Sequence, residues 1–220
     1  MTDLSAFPIT QKWPVENPDV LQLFSFPTPN GVKISIALEE MGLPYEPHRV
    51  TLSDEDVKSA EFLSLNPNNK IPAIIDPNGP DGEPLGLFES GAILQYLARK
   101  TGQFYGSNAR EQVAVEQWLM WQMGGQGPML GQAHHFLKFN PGKAPYAEER
   151  FGKEARRLYG VLNQHLEGRD YILGQLSVCE FAIWPWVSRF EFQQIDLHEY
   201  PAVLRWYRML ADRPGFQRGY

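Results

Sequence analysis

The chain of 220 residues holds a single cysteine, Cys179. An internal disulfide is therefore excluded, and so is Cys-x-x-Cys chemistry carried by the protein's own thiols. Long apolar runs are also missing: nowhere do about 18 consecutive apolar residues occur, the length that reads as a membrane helix. No basic-then-apolar signal pattern opens the chain, which together with the lone cysteine gives the expectation of a cytoplasmic protein. Positive charge is not in excess either. Against 26 acidic residues stand 20 Lys and Arg, for a net charge of -6, with no basic cluster. Nucleic acid is thus not the expected partner, and a small molecule or a protein is. What remains, 43% hydrophobic and 21% charged residues, is the composition of a soluble globular chain long enough for one large or two small domains.

Residues 1–19 carry Pro8, Pro14 and Pro18 around isolated Phe7 and Trp13, which predicts an extended arm lying on a surface. A strand is expected over 20–26, rich in branched and aromatic residues, ending at the breaker run Pro27-Thr28-Pro29-Asn30-Gly31. Ile34, Ala37, Leu38 and Met41 then recur at helical spacing before Gly42. Further strands are expected over 45–52, 72–76 and 85–88, with a weaker helix over 54–65 and a helix opened by Glu89-Ser90-Gly91 and closed at Thr101-Gly102. The order β-α-β-α-β-β-α implies a small mixed sheet covered by helices. After Gln103 only helical patterns follow. Gly124-Gly125-Gln126-Gly127-Pro128 is expected to break one of them, Ser177 and Glu180 match a capping box, Pro185 to kink the apolar run it sits in, and Pro201 to open a last helix that Pro214 ends.

Three stretches could carry chemistry. Thr28 and Asn30 stand where a strand passes into a helix, and the free N–H groups of a helix N-terminus favour an anion or a thiolate; Thr-Pro-Asn-Gly also reads simply as a turn with a cap. Pro72 opens a strand. Trans is the commoner state of such a bond, whereas a cis Ile71-Pro72 bond would turn the Ile71 N–H and C=O outward to pair with a bound peptide. Ser90 reads as a helix cap, and Glu89 beside it offers a carboxylate to a ligand ammonium. Cys179, inside a capping box and an apolar helix start, reads as a buried structural thiol. His134 and His135 are adjacent and so point to different sides of a helix, without further ligands, which speaks against a metal.

Taken together, Thr28-Pro29-Asn30, Asn69-Lys70-Ile71-Pro72-Ala73 and Phe88-Glu89-Ser90-Gly91-Ala92-Ile93, followed by an all-helical half, resemble the glutathione transferases over about 200 residues. The run from Trp118 to Gln132 with His134-His135-Phe136 looks like the bacterial nu class, which is similar to the glutathione-binding part of the yeast nitrogen-regulating prion protein. The resemblance implies an α/β thioredoxin-like N-terminal domain with a mixed four-stranded sheet, residues 20–103, and an all-α C-terminal domain, residues 104–220, behind the N-terminal extension 1–19. It implies glutathione as cosubstrate, with a second glutathione per subunit completing the reaction, and a homodimer; from the residues themselves no metal is expected.

By position, the resemblance assigns Glu89 and Ser90 to the γ-glutamyl end and the Ile71 backbone before a cis Pro72 to the cysteinyl portion. Lys70 is expected at the glycyl carboxylate, Arg150 as a helical-domain arginine reaching glutathione, and Asn30 with Thr28 near the sulfur. A hydrogen bond donated to sulfur lowers a thiol pKa. Val57 stands where relatives can offer a glutamine, so no contact is assigned there. The activity implied is glutathione-dependent disulfide reduction. Conjugation of small electrophiles or peroxide reduction by the same thiolate is the enzymatic alternative, and glutathione sensing without turnover the other.

Overall fold

The computed structural model describes residues 2–220. In chain order its elements are α1 (Ile9–Lys12), β1 (Leu21–Ser25), α2 (Pro29–Met41), β2 (Tyr45–Arg49), α3 (Asp54–Val57), α4 (Ala60–Leu65), β3 (Ala73–Asp76), β4 (Leu85–Phe88), α5 (Ser90–Thr101), α6 (Ala109–Trp121), α7 (Gly127–Ala133), α8 (Pro145–Leu166), α9 (Val178–Val187), α10 (Pro201–Ala211) and α11 (Pro214–Gly219). Two units arise, one running to Gly102 and regaining Pro214–Tyr220, the other Gln103–Arg213.

The first unit is a mixed sheet in the order β2-β1-β3-β4. β1 and β2 pair in parallel, Leu21 with Tyr45 through Ser25 with Arg49, which a crossover helix makes possible. That helix is α2. Thr28 caps it, its side chain accepting from the Gly31 N–H at 3.3 Å, Pro29 fills the first position, where an N–H would lack a partner anyway, and Gly42 ends it at φ 65. β3 runs antiparallel to β1 and to β4. All four residues of β3 and the first four of β1 are buried, as expected of central strands covered on both faces.

Two expectations for this unit need correction. Residues 1–19 are not simply an arm on the surface: Leu4 and Ile9 are buried in a cluster with Phe24, Val50, Phe62 and Ile75. Trp13 meets the rings of Phe24 and Phe62 edge-on, at 6.3 and 6.2 Å, and its indole N–H donates to the Arg49 carbonyl at 3.0 Å. The helix expected over 54–65 is two short ones, because Ser59 leaves the helical region (ψ 149) to cap α4 by accepting from the Phe62 N–H.

In the second unit the Gly124–Pro128 stretch does not break the chain's helical course. Residues Gln122–Gln126 form a π-helical turn leading directly into α7, and His134–Phe139 form another after it. A π turn widens the ring of backbone hydrogen bonds rather than ending it, and Pro128, in the first turn of α7, costs little there. α9 has the capping box: the Glu180 carboxylate accepts from the Ser177 N–H at 2.9 Å and the Ser177 hydroxyl accepts from the Cys179 N–H at 3.2 Å. Pro185 lies inside α9, which ends two residues later at Val187. Pro201 opens α10, but that helix stops at Ala211 and Pro214 opens α11 instead of closing the last helix. α11 packs on α2 in the first unit. A Cβ on Gly219 would stand 2.5 Å from the Ile36 backbone, so only glycine admits this approach.

Candidate functional site

The register of the sheet brings the candidate segments of the first unit together. Phe24 on β1 pairs with Ala73 on β3, and Ala73 pairs with Phe88 on β4. Because β3 runs against both neighbours, the last residues of β1, the first of β3 and the last of β4 share one edge of the sheet. Just beyond that row follow Thr28 and Asn30, Ile71 and Pro72, and Glu89 and Ser90. Three loops distant in sequence thus open at one end.

Each has a local reason for its geometry. At the end of β1 the chain turns tightly, the Thr28 N–H donating to the Phe26 carbonyl at 2.7 Å. Gly31 passes so close that a Cβ would lie 1.9 Å from the Phe26 oxygen. Thr28 is therefore the helix cap as well as a candidate, and Asn30 stands in the first turn of α2, where the helix dipole presents its positive end. The Ile71-Pro72 bond is cis. Before it, the Lys70 carbonyl accepts from the buried Asn66 side chain, while the Lys70 side chain is exposed. Glu89 precedes α5 with φ 69 and ψ 111, makes no side-chain cap, and gives its carbonyl to the Ile93 N–H at 2.9 Å. A non-glycine residue held at positive φ costs on the order of 1–3 kcal/mol and clusters at functional sites. Ser90 is buried and Glu89 exposed.

One neighbour of these residues escaped the reading of the sequence. Lys33, one turn into α2 beyond Asn30, is only 1% exposed, and its Nζ donates to the Ser90 hydroxyl at 3.3 Å. Burial pulls its pKa from 10.5 down to about 7, against which the negative charge of Glu89 works. The available signal was slight: from Val32 to Leu38 only Lys33 and Ser35 are polar, which describes a helix buried on most sides.

The remaining candidates belong to other elements. Val57 packs its side chain into the core of the first unit. Arg150 belongs to α8 in the second unit, in a groove of about 520 Å³ lined also by Met129, Tyr146 and Phe151. Cys179 is fully buried, its thiol donating to the Val115 carbonyl at 3.4 Å, and burial pushes its pKa far up. Such a thiol is inert. His134 is buried beside Trp186 and takes a hydrogen bond from the Gln193 side chain at 2.9 Å, and burial lowers its pKa to about 4. It is a neutral core histidine. Among the described residues no group of three or more His, Cys, Asp or Glu could hold a metal ion.

Known proteins share this fold. Residues 19–99 match the model of the glutathione S-transferase N-terminal domain, and residues 145–208 that of the C-terminal domain. The chain belongs to the glutathione S-transferase family. Its relatives within the family include the disulfide-bond oxidoreductase YfcG of Escherichia coli, 50% identical over 197 residues, an alignment covering 89% of this chain and 92% of that protein. Among solved structures, a Burkholderia graminis glutathione transferase with two glutathione molecules bound per subunit superposes with a TM-score of 0.94 at 54% identity, covering 100% of this chain and 95% of that one. A Pseudomonas putida glutathione transferase with one glutathione disulfide bound per subunit gives 0.94 at 49% identity, covering 99% and 98%. In this transferase chain the thioredoxin-like sheet and the helical half are thus the two halves of the family fold.

Proposed function

We propose that the protein is a glutathione-dependent disulfide reductase that uses the ligand's thiolate where thioredoxin-like enzymes use their own cysteine. The observation that carries this reading is the convergence of a helix N-terminus, the entry to β3 at Ile71-Pro72 and the exposed Glu89, held at positive φ, at one end of the sheet, in a chain whose single thiol is buried and proton-bound. That relatives hold two glutathiones or one glutathione disulfide per subunit supports it, since these are the reduced and oxidised forms of one ligand pair.

In this reading Glu89 takes the ammonium and Ser90 the carboxylate of the γ-glutamyl end, and the Ile71 backbone pairs with the cysteinyl portion. The Lys70 side chain attracts the glycyl carboxylate. Thr28 and Asn30, with the dipole of α2, stabilise the thiolate. That thiolate attacks one sulfur of a substrate disulfide, forming a mixed disulfide and expelling the other sulfur as thiolate. A second glutathione thiolate attacks the glutathione sulfur of the mixed disulfide, releasing glutathione disulfide and the second substrate thiol. Two electrons pass from two glutathiones to one disulfide, and the protein gains and loses none. Arg150, from the second unit, is our further candidate for holding glutathione. A cytoplasmic location and a homodimer complete the proposal, the dimer supported by the exposed Val113 and Met120, 62% and 52% accessible and seven residues apart on α6.

The test is reduction of bis(2-hydroxyethyl) disulfide by glutathione, coupled to NADPH-dependent reduction of the glutathione disulfide formed, in wild type, Asn30→Ala and Cys179→Ala, with conjugation of a model electrophile measured alongside. Turnover that persists in Cys179→Ala, falls at least tenfold in Asn30→Ala and exceeds conjugation supports the reading. Loss of turnover in Cys179→Ala, or conjugation as the dominant activity, overturns it.

A further inference from the structure

Burying a lysine needs a reason. The side chain of Lys33 is fully enclosed between α2 and its surroundings, where an apolar residue of equal length would pack without the cost of removing a charge from water. Its Nζ donates to the Ser90 hydroxyl, 3.3 Å away, and the negative charge of Glu89 acts on it. These are the two residues that open α5 at the shared sheet edge.

We infer that Lys33 is a positioning residue for recognition of a free α-amino acid end: by donating to the Ser90 oxygen it orients the hydroxyl and places a positive charge behind it, so that Ser90 draws in the ligand's α-carboxylate while Glu89 takes the ammonium. This deepens the proposal that Glu89 and Ser90 hold the γ-glutamyl end of glutathione, and rests on it. A hydroxyl that accepts from an amine keeps its own hydrogen to donate. The same contact joins α2, which carries Thr28 and Asn30, to α5, so one buried cation ties the sulfur end of the site to its carboxylate end. Ligands with the γ-linked α-carboxylate would be preferred over thiols lacking it.

Lys33→Met keeps most of the length and removes both charge and donor in an enclosed position, and Lys33→Gln removes the charge while keeping a shorter, neutral donor. Calorimetric titration of the full chain would use glutathione and its analogue with the γ-glutamyl α-carboxylate replaced by hydrogen. Loss of a charge-assisted contact predicts about 10- to 100-fold weaker glutathione binding in both variants. Binding of the decarboxylated analogue should be within twofold of wild type, and in steady state the KM for glutathione should rise with little change in kcat. On a Ser90→Ala background the effect of Lys33→Met should shrink to less than twofold. Glutathione affinity unchanged in Lys33→Met, or an equal loss for glutathione and the analogue, overturns the inference. Failure of wild type to bind glutathione would overturn the functional proposal as well. Wild type that binds glutathione without reducing disulfides sinks only the reductase reading, because the titrations still decide the role of Lys33.

Discussion

Removing the charge of Lys33 should make the protein more stable, by an amount that follows from the depression of its pKa. The ammonium has a pKa of 10.5 in the unfolded chain and about 7 in the folded one. That gap of about 3.5 pH, at about 1.4 kcal/mol each, comes to about 5 kcal/mol. The sign follows from which state holds the proton. A base whose folded pKa is depressed leaves the unfolded state with more protons between the two values, so wild-type stability rises with pH from about 7 toward 10.5 and is lowest, and flat in this contribution, below 7. Methionine at position 33 has no proton to lose. Lys33→Met should therefore exceed wild type by about 3–5 kcal/mol at pH 6, the lower figure allowing for the lost contact with Ser90, and the advantage should shrink as pH rises to 9.5. Urea unfolding at half-unit pH intervals, followed by far-ultraviolet circular dichroism, reads both quantities. A variant less stable than wild type at pH 6, or parallel pH profiles for the two proteins above pH 7.5, would refute the account of Lys33 as a costly buried cation.

Further outcomes follow from other contacts. Gly31→Ala pushes a Cβ to 1.9 Å from the Phe26 oxygen and should cost about 3 kcal/mol or more in urea unfolding, with glutathione affinity by calorimetry falling as the start of α2 shifts. Glu180→Ala removes a buried carboxylate that accepts from the Ile172 N–H at 2.7 Å and from the Ser177 N–H and hydroxyl at 2.9 and 2.8 Å. Leaving those donors buried should cost about 3–5 kcal/mol, seen as a lower thermal midpoint. Trp13→Ala takes the indole from between Phe24 and Phe62 and should destabilise by about 2–4 kcal/mol in the same assay. An unchanged midpoint would mean that the first nineteen residues do not belong to the core.

Local chemistry explains which parts of this fold could be read before the structure. The turn residues around Pro27–Gly31, Pro77–Gly79 and Thr101-Gly102 punctuate the first unit because each demands a conformation few residues tolerate, so the mixed sheet and its helices followed directly. The Ser177–Glu180 capping box was legible for the same reason: both partners lie within one turn of helix. What escaped depends on contacts between distant segments. Leu4 and Ile9 are buried by Phe24, Val50 and Phe62, and nothing in the proline-spaced stretch around them carries a period. Pro214 reads as a terminator, yet of the glycines that make 214–219 a poor helix alone, Gly219 lets α11 lie against Ile36 of α2.

The candidate site divides in the same way. Glu89-Ser90 and Ile71-Pro72 are visible as turn chemistry, but their convergence with Thr28 comes from register, from Phe24 opposite Ala73 and Ala73 opposite Phe88, which no single stretch encodes. Lys33 was hidden by the strength of an ordinary rule: a lone lysine on a helix is placed in water. Here Val32, Ile34, Ile36, Ala37 and Leu38 are buried around it, so α2 has little solvent face to give, and the ammonium meets Ser90 instead. A local rule fails where a polar group is enclosed at a cost to stability, and such failures concentrate where a site must be held in place. That is the physical ground for assigning Lys33 to the ligand's carboxylate end.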